Sequence, residues 1–299
     1  MANQLRGIIP ALITPFTPSG APDLGSLEKL VEFLATSGAG GLLLFDHLEE
    51  ADQLTLPEMQ VIVTTVIRQT AGRIPVVVRL KSAEPSQAVH LSGEGAVTAF
   101  MAPPPRTQPP DSQFKVTIFR TFKVAARVPI ILDYTFPSGN SPLEAAEKDG
   151  LLESLEDVDA IRVNYPPAGP LISALRERSS GLTSTISGLS GRHIIDALDR
   201  GAEGATTLCC IPEPFINILR YREHGSLIEA MKTYNDFLPL LSLMTQTGAM
   251  ATACERIILA RRGWIASDTR RNPSYSPDAK QRSDLFTLFE KLSQRFQLA

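Results

Sequence analysis

Residues 7–44 read GIIPALITPFTPSGAPDLGSLEKLVEFLATSGAGGLLL, and the change of period inside this stretch decides the fold class. The run 7–14 (GIIPALIT) is short, continuous and apolar, and so is the run 41–46 (GLLLFD). Between them Leu27, Leu30, Val31, Phe33 and Leu34 recur at helical spacing behind Asp23, a side chain suited to capping a helix start. The order is therefore strand, helix, strand. Strands that are apolar at nearly every position are buried on both faces, as in a parallel sheet, and a parallel pair needs a crossover such as this helix.

The same rhythm continues along the chain. Further strand-like runs are 74–81 (IPVVVRLK), 96–101 (AVTAFM), 129–134 (PIILDY), 158–163 (VDAIRV), 182–187 (LTSTIS) and 204–209 (GATTLC). A second helix carries Val61, Ile62, Val66 and Ile67 behind Thr55 as its cap, with Pro57 in its first turn. Eight strand–helix units fit inside residues 1–225. They predict an α/β protein with a (β/α)8 TIM barrel. An open doubly wound sheet is the weaker alternative, because no GxGxxG follows the first strand. After Gly225 the runs 228–245, 249–262 and 277–296 read as three helices without a strand between them, a C-terminal helical domain over 226–299. Leu238, Leu240, Leu241, Leu243 and Met244 make the first of these apolar nearly all round, which predicts burial on the barrel or on a neighbouring subunit. The proline-rich stretch 103–110 (PPPRTQPP) is expected to form a stiff loop at the barrel mouth.

Composition narrows the function classes. The 299 residues are 43% hydrophobic and carry a net charge of -3, with no tract rich in lysine and arginine. Disorder is excluded, and nucleic acid is not expected as a partner. There is no run long enough for a membrane span and no basic leader ahead of an apolar core, so a cytoplasmic location is expected. The three cysteines, Cys209, Cys210 and Cys254, have no zinc spacing, and their odd number suits a reducing compartment. No metal and no cofactor are expected.

In a barrel of this kind reactive groups lie at the carboxyl ends of the strands. That rule nominates Thr14 after strand 1, Asp46, His47, Glu49 and Glu50 after strand 2, and Lys81 closing strand 3. It also nominates Arg106 in the proline loop, Asp133 and Tyr134 on strand 5, and Arg162, Asn164 and Tyr165 on and after strand 6. Strand 7 adds Ser187, Gly188 and Ser190, and strand 8 adds Cys209, Cys210 and Glu213. The two cysteines read as small buried hydrophobes. Arg162 is the hardest to dismiss: a permanently charged guanidinium on a buried strand needs a carboxylate partner or an anionic ligand.

Taken together, the opening stretch 7–44, the segment GAEGATTLCCIPEPF (201–215) and the tail ERIILARRGWIAS (255–267) resemble the dihydrodipicolinate synthase/N-acetylneuraminate lyase family over essentially the whole chain. The resemblance implies a TIM barrel with C-terminal helices, a homodimer or homotetramer, and class I aldolase chemistry on a small carboxylate or 2-keto acid. In that chemistry a strand 6 lysine forms a Schiff base, a strand 5 tyrosine relays protons, and a GTTGE-like loop after strand 2 holds the substrate carboxylate. Here Ala160-Ile161-Arg162 stands where the family reads GIK, and Asp46-His47-Leu48-Glu49-Glu50 stands where it reads GTTGE. A guanidinium cannot supply the neutral amine that an imine requires. Carboxylates in the loop repel an anion instead of cradling it. Either Asp133 or Tyr134 takes the tyrosine's place, since alternation lets only one face inward. Two readings follow. One is a member without Schiff-base activity that binds a small acid at the mouth through Thr14, Asp46, His47, Glu50, Arg106, Asp133, Ser187 and Gly188 around Arg162. The other is an active lyase or hydro-lyase with a rearranged site, using Lys81 as a relocated amine or His47 with a carboxylate as acid and base.

Overall fold

In a computed structural model the chain is described over residues 5–46, 48–82, 84–92, 97–103, 121–125, 127–135, 144, 146, 158–179 and 183–298. The strands are β1 (Gly7–Leu12), β2 (Leu42–Leu44), β3 (Val76–Arg79), β4 (Ala99–Ala102), β5 (Ile130–Tyr134), β6 (Ala160–Val163), β7 (Ser184–Ser187) and β8 (Gly204–Leu208). They pair in parallel in chain order, and β8 returns to β1 to close a barrel. Each strand falls inside the run expected for it or one residue beyond. Closure brings two glycines face to face, Gly7 opposite Gly204. A Cβ on Gly204 would stand 2.4 Å from the Gly7 carbonyl oxygen, so a side chain there would force the seam apart.

Around the barrel lie α1 (Leu24–Thr36), α2 (Leu48–Ala51), α3 (Leu56–Thr70), α4 (Pro85–Ser92), α5 (Ala168–Arg178), α6 (Ile194–Asp199) and α7 (Pro212–Glu223). Both expected caps form. Asp23 accepts from the Ser26 N–H at 3.1 Å, and Thr55 makes a reciprocal box with Glu58 at the start of α3. The C-terminal helices are α8 (Leu227–Met244), α9 (Gly248–Arg261) and α10 (Ala279–Phe296). None of the described helices is long and apolar enough to cross a membrane.

The burial expected of the first C-terminal helix is met in part within the chain: Leu240, Leu241 and Met244 are buried and Leu243 packs against the core. Helix α8 buries a single stripe, Ala230, Thr233, Phe237, Leu240, Leu241 and Met244, and leaves Leu238, Ile228 and Met231 exposed. The helix enclosed on all sides is α9, whose residues from Met250 to Leu259 are all buried, Glu255 and Arg256 included.

Period-two alternation divides the barrel side chains into two layers. Ile9, Leu43, Val77, Ala99, Met101, Ile131, Ala160 and Ile186 form an inner cluster with Leu5. Their strand neighbours, among them Ile8, Val78, Leu132, Ile161 and Val163, pack outward with the helices. Stepping two residues toward the carboxyl end from Val77, Ile131 and Ala160 therefore places Arg79, Asp133 and Arg162 on the inner face.

The C-terminal segment is fastened across the barrel by Arg271, which donates to Glu58 at 2.7 Å. This bond, with help from the Thr55 N–H, lowers the Glu58 carboxyl from 4.5 to about 2 against the opposing effect of burial. A depressed carboxyl stabilises the fold above its unfolded value, and that contribution is lost as pH falls from 4.5 toward 2. Thermal melts of Glu58→Gln across that window are expected to show a flatter loss of stability than wild type. Parallel curves would remove the assignment.

Candidate active site at the barrel mouth

Four charged side chains meet at the carboxyl end of the barrel. Asp133 on β5 and Arg162 on β6 are paired in register, and Arg162 donates from Nε to Asp133 Oδ1 at 2.8 Å. Arg79 on β3 donates from Nε to the other oxygen, Oδ2, also at 2.8 Å. Asp46, two residues beyond β2, stands 2.7 Å from Arg162 Nη1 and 3.6 Å from Arg79 Nε. The order Asp46–Arg162–Asp133–Arg79 alternates in sign and sums to zero.

Asp133 and Arg162 are sealed, at 0% and 1% exposure, whereas Asp46 is 20% exposed. Burial alone disfavours both sealed charges, but the pairing outweighs it. Arg162, and then Arg79, hold the Asp133 carboxyl below its usual value. Asp133, and then Asp46, raise the Arg162 guanidinium above its own.

Above the quartet opens a cavity of about 490 Å³. Its floor is Ala11, Asp46, Arg79 and Arg162; β8 contributes Thr206, Thr207 and Leu208. One wall is the turn after β7 with Leu189, Ser190 and Arg192, and the facing wall is the start of α9 with Thr247, Gly248 and Ala249. Backbone strain gathers here. Phe45 (φ 62°), Leu189 (φ 58°) and Ser190 (φ 54°) adopt left-handed conformations that cost non-glycine residues energy, and they flank Asp46 and the cavity wall. Asn164 holds the Leu189 turn by accepting its N–H at 2.7 Å.

The structure sorts the expected residues. Asp46, Asp133 and Arg162 come together, with Asn164 and Ser190 beside them. The open question on β5 is answered: Asp133 faces inward, and Tyr134 lies in the outer layer against the helices, away from the proton-relay place expected for it. Lys81 is corrected as well. It is exposed, pairs with Asp52 at 3.2 Å and lines a different surface depression, because β3 ends at Arg79 and the chain turns outward.

Glu50 does not face a ligand either. Its Oε1 accepts from Arg256 Nε at 2.8 Å, and its Oε2 accepts the Thr14 N–H at 3.1 Å. Arg256 also donates to the Thr14 carbonyl, so Thr14 is engaged through its backbone in the same latch. Ser187 is paired with the outward-facing Val163 and does not line the cavity; the inner-face position opposite Arg162 belongs to Ile186 of the apolar cluster. Gly188 serves close packing, since a Cβ there would lie 2.3 Å from Asn164 Oδ1. His47 and Arg106 lie outside the described residues. Burial pushes the Cys209 and Cys210 thiols well up, with Glu255 adding to the effect, so neither is an activated nucleophile. Among the described residues no group of three or more His, Cys, Asp or Glu is placed to hold a metal.

Four residues of the cavity and its supporting latch escaped the sequence. Arg79 was legible by counting two from Val77, but the lysine two further on drew attention instead. Glu255 and Arg256, two adjacent charged residues inside the otherwise apolar ATACERIILA, are themselves a burial signal; Arg256 pairs with Glu50, and Glu255 accepts the Cys209 N–H. Arg192 has no local mark.

The barrel fold agrees with the comparisons. The model of the dihydrodipicolinate synthetase family matches residues 4–292. The chain belongs to that family. A similar relative is the L-2-keto-3-deoxyarabonate dehydratase of Azospirillum brasilense, 26% identical over 298 residues, spanning 96% of this chain and 94% of the relative. The 4-hydroxy-tetrahydrodipicolinate synthase of Bifidobacterium longum is 24% identical over 284 residues, with 92% and 90% coverage. Among solved structures, dihydrodipicolinate synthase from Rhodopseudomonas palustris superposes with a TM-score of 0.83 at 22% identity over 97% of this chain and 99% of that one. The sialic acid aldolase of Ruminococcus gnavus gives 0.82 at 15% identity over 98% and 99%. These two likenesses establish the fold.

Proposed function

We propose that this family member binds a small organic acid at the barrel mouth and does not run a Schiff-base aldolase reaction. The observation that carries the reading is Arg162. It occupies β6 where the resemblance places the imine-forming lysine, and it is locked between Asp133 and Asp46. A guanidinium so held offers no neutral amine. No lysine lies among the described residues lining the cavity, and exposed Lys81 is committed to Asp52. The acid group of a ligand fits the rim better than the floor, because the quartet is already neutral while Arg192 stands at the rim with its Nη1 donating to the Thr245 carbonyl at 3.4 Å.

The test is reduction with borohydride in the presence of pyruvate, followed by intact mass measurement. An unchanged mass is expected; a covalent pyruvate adduct would overturn the reading.

A second reading, an active hydro-lyase on a 2-keto acid, is favoured by the similarity to the Azospirillum dehydratase over nearly the whole chain. It would rely on acid–base chemistry around Asp46, and turnover of a 2-keto-3-deoxy acid by the purified chain would establish it. A homodimer or homotetramer belongs to the same proposal, with the exposed Ile228, Met231 and Leu238 of α8 as the face left for a second copy.

A further inference from the structure

The charge quartet has one open corner. Asp133 is sealed, and each of its oxygens accepts from a guanidinium. Asp46 is different: it lines the cavity and is 20% exposed, and among the described residues its ion pairs with Arg162 and Arg79 are recorded at Oδ1. Its carboxylate therefore presents acceptor capacity to whatever enters the cavity.

We infer that Asp46 is the specificity-determining residue of this cavity, selecting acids that place a hydroxyl or ammonium hydrogen against its carboxylate. The inference rests on the proposed ligand-binding mouth and names the class of ligand that mouth takes. An ionised carboxylate accepts hydrogen bonds and cannot donate them, so it favours an –OH or –NH₃⁺ group and disfavours a carbonyl or a second carboxylate at the same place. The two guanidiniums beside it do not reverse this, because two carboxylates balance them and leave no net pull on an anion. The rim offers the opposite preference. Arg192 brings a cation, and Gly248 and Ala249 bring first-turn N–H groups of α9 that have no partner within the helix. Between the two ends Ser190 either donates or accepts, while Thr206 and Thr252 already donate to the Ser187 and Gly248 carbonyls and so face the cavity as acceptors. A ligand satisfying both ends carries its acid group at the rim and a hydrogen-bond donor at the floor. Hydroxy acids and amino acids meet that demand; a plain keto acid does not.

Calorimetric titration of the intact protein with glycerate, serine and pyruvate tests this. Glycerate and serine are expected to bind at least about tenfold more tightly than pyruvate, the size of effect a charge-assisted hydrogen bond gives. Asp46→Asn should bring that ratio to about twofold or less, and Asp46→Glu, which keeps the charge, should retain part of it. Removing one charge from a buried cluster can unfold a chain, so the wild-type ratio is read first and stands without any variant. Equal binding of glycerate and pyruvate would overturn the inference, as would an undiminished preference in folded Asp46→Asn. Failure of all three probes to bind counts against it and against the ligand-binding mouth together. Borohydride trapping of pyruvate would break the imine-free reading alone, so the two failures are told apart.

Discussion

Arg162→Met is expected to destabilise the fold by roughly 3–5 kcal/mol, the usual cost of removing one partner from a buried ion pair. Methionine fills much the same volume, so the loss comes from charge and not from a cavity. Without Arg162, among the described residues the fully buried Asp133 keeps the Arg79 guanidinium and Asp46 keeps the longer 3.6 Å approach to the same group. Denaturant unfolding measures the change, and a single variant within about 1 kcal/mol of wild type would contradict the account. The double variant Arg162→Met/Asp133→Leu is the control. It deletes one charge of each sign and leaves Asp46 and Arg79 to pair, so it should recover much of the loss. The pH dependence has a definite sign. In the wild type Asp133 titrates below 3.8, so its contribution is present above that value and fades as the solution is acidified.

Arg256→Met is expected to have a comparable effect, again roughly 3–5 kcal/mol, but at the seam between the barrel and the C-terminal helices. The guanidinium is wholly buried and reaches three chain segments. It pairs with Glu50, donates from Nη1 to the Thr269 carbonyl at 2.9 Å, and donates to the Thr14 carbonyl. The Phe16 ring lies 5.1 Å beneath it. Removing it strands a buried carboxylate and two carbonyl oxygens at once. Arg256→Lys should rescue little, since an ammonium lacks the planar fork that reaches three directions. Hydrogen exchange adds a local reading: the Thr14 amide, which donates to Glu50, should lose protection in the variant beyond the global change. A protected Thr14 amide in a folded Arg256→Met would show that the latch does not hold the mouth.

How much of this was legible depends on the range of the forces involved. The helix starts at Asp23 and Thr55 were readable because a cap and its first turn lie within three residues of each other. The strands were readable because burial on both faces writes an unbroken apolar run. Arg162 stood out in the sequence because a charge on such a run has to be compensated somewhere. What compensates it could not be read, since Asp46 and Asp133 lie on different strands and meet only when the barrel closes. Tyr134 and Lys81 failed as site residues for a related reason: the choice between Asp133 and Tyr134 is a matter of strand phase, and Lys81 depends on where β3 stops. Glu50 looked like a ligand contact until its distant partner Arg256 was placed beside it.

The amino-acid sequence by itself therefore determined the (β/α)8 architecture, the three C-terminal helices and the presence of an arginine on the sixth strand. Those follow from period and capping, which are local. The tertiary structure alone decided that Arg162 is neutralised, that Asp46 is the carboxylate left facing the cavity, and that Glu50 belongs to a latch. Each of those depends on charges that are far apart in the chain and within hydrogen-bond reach only after folding, where low dielectric makes their pairing obligatory.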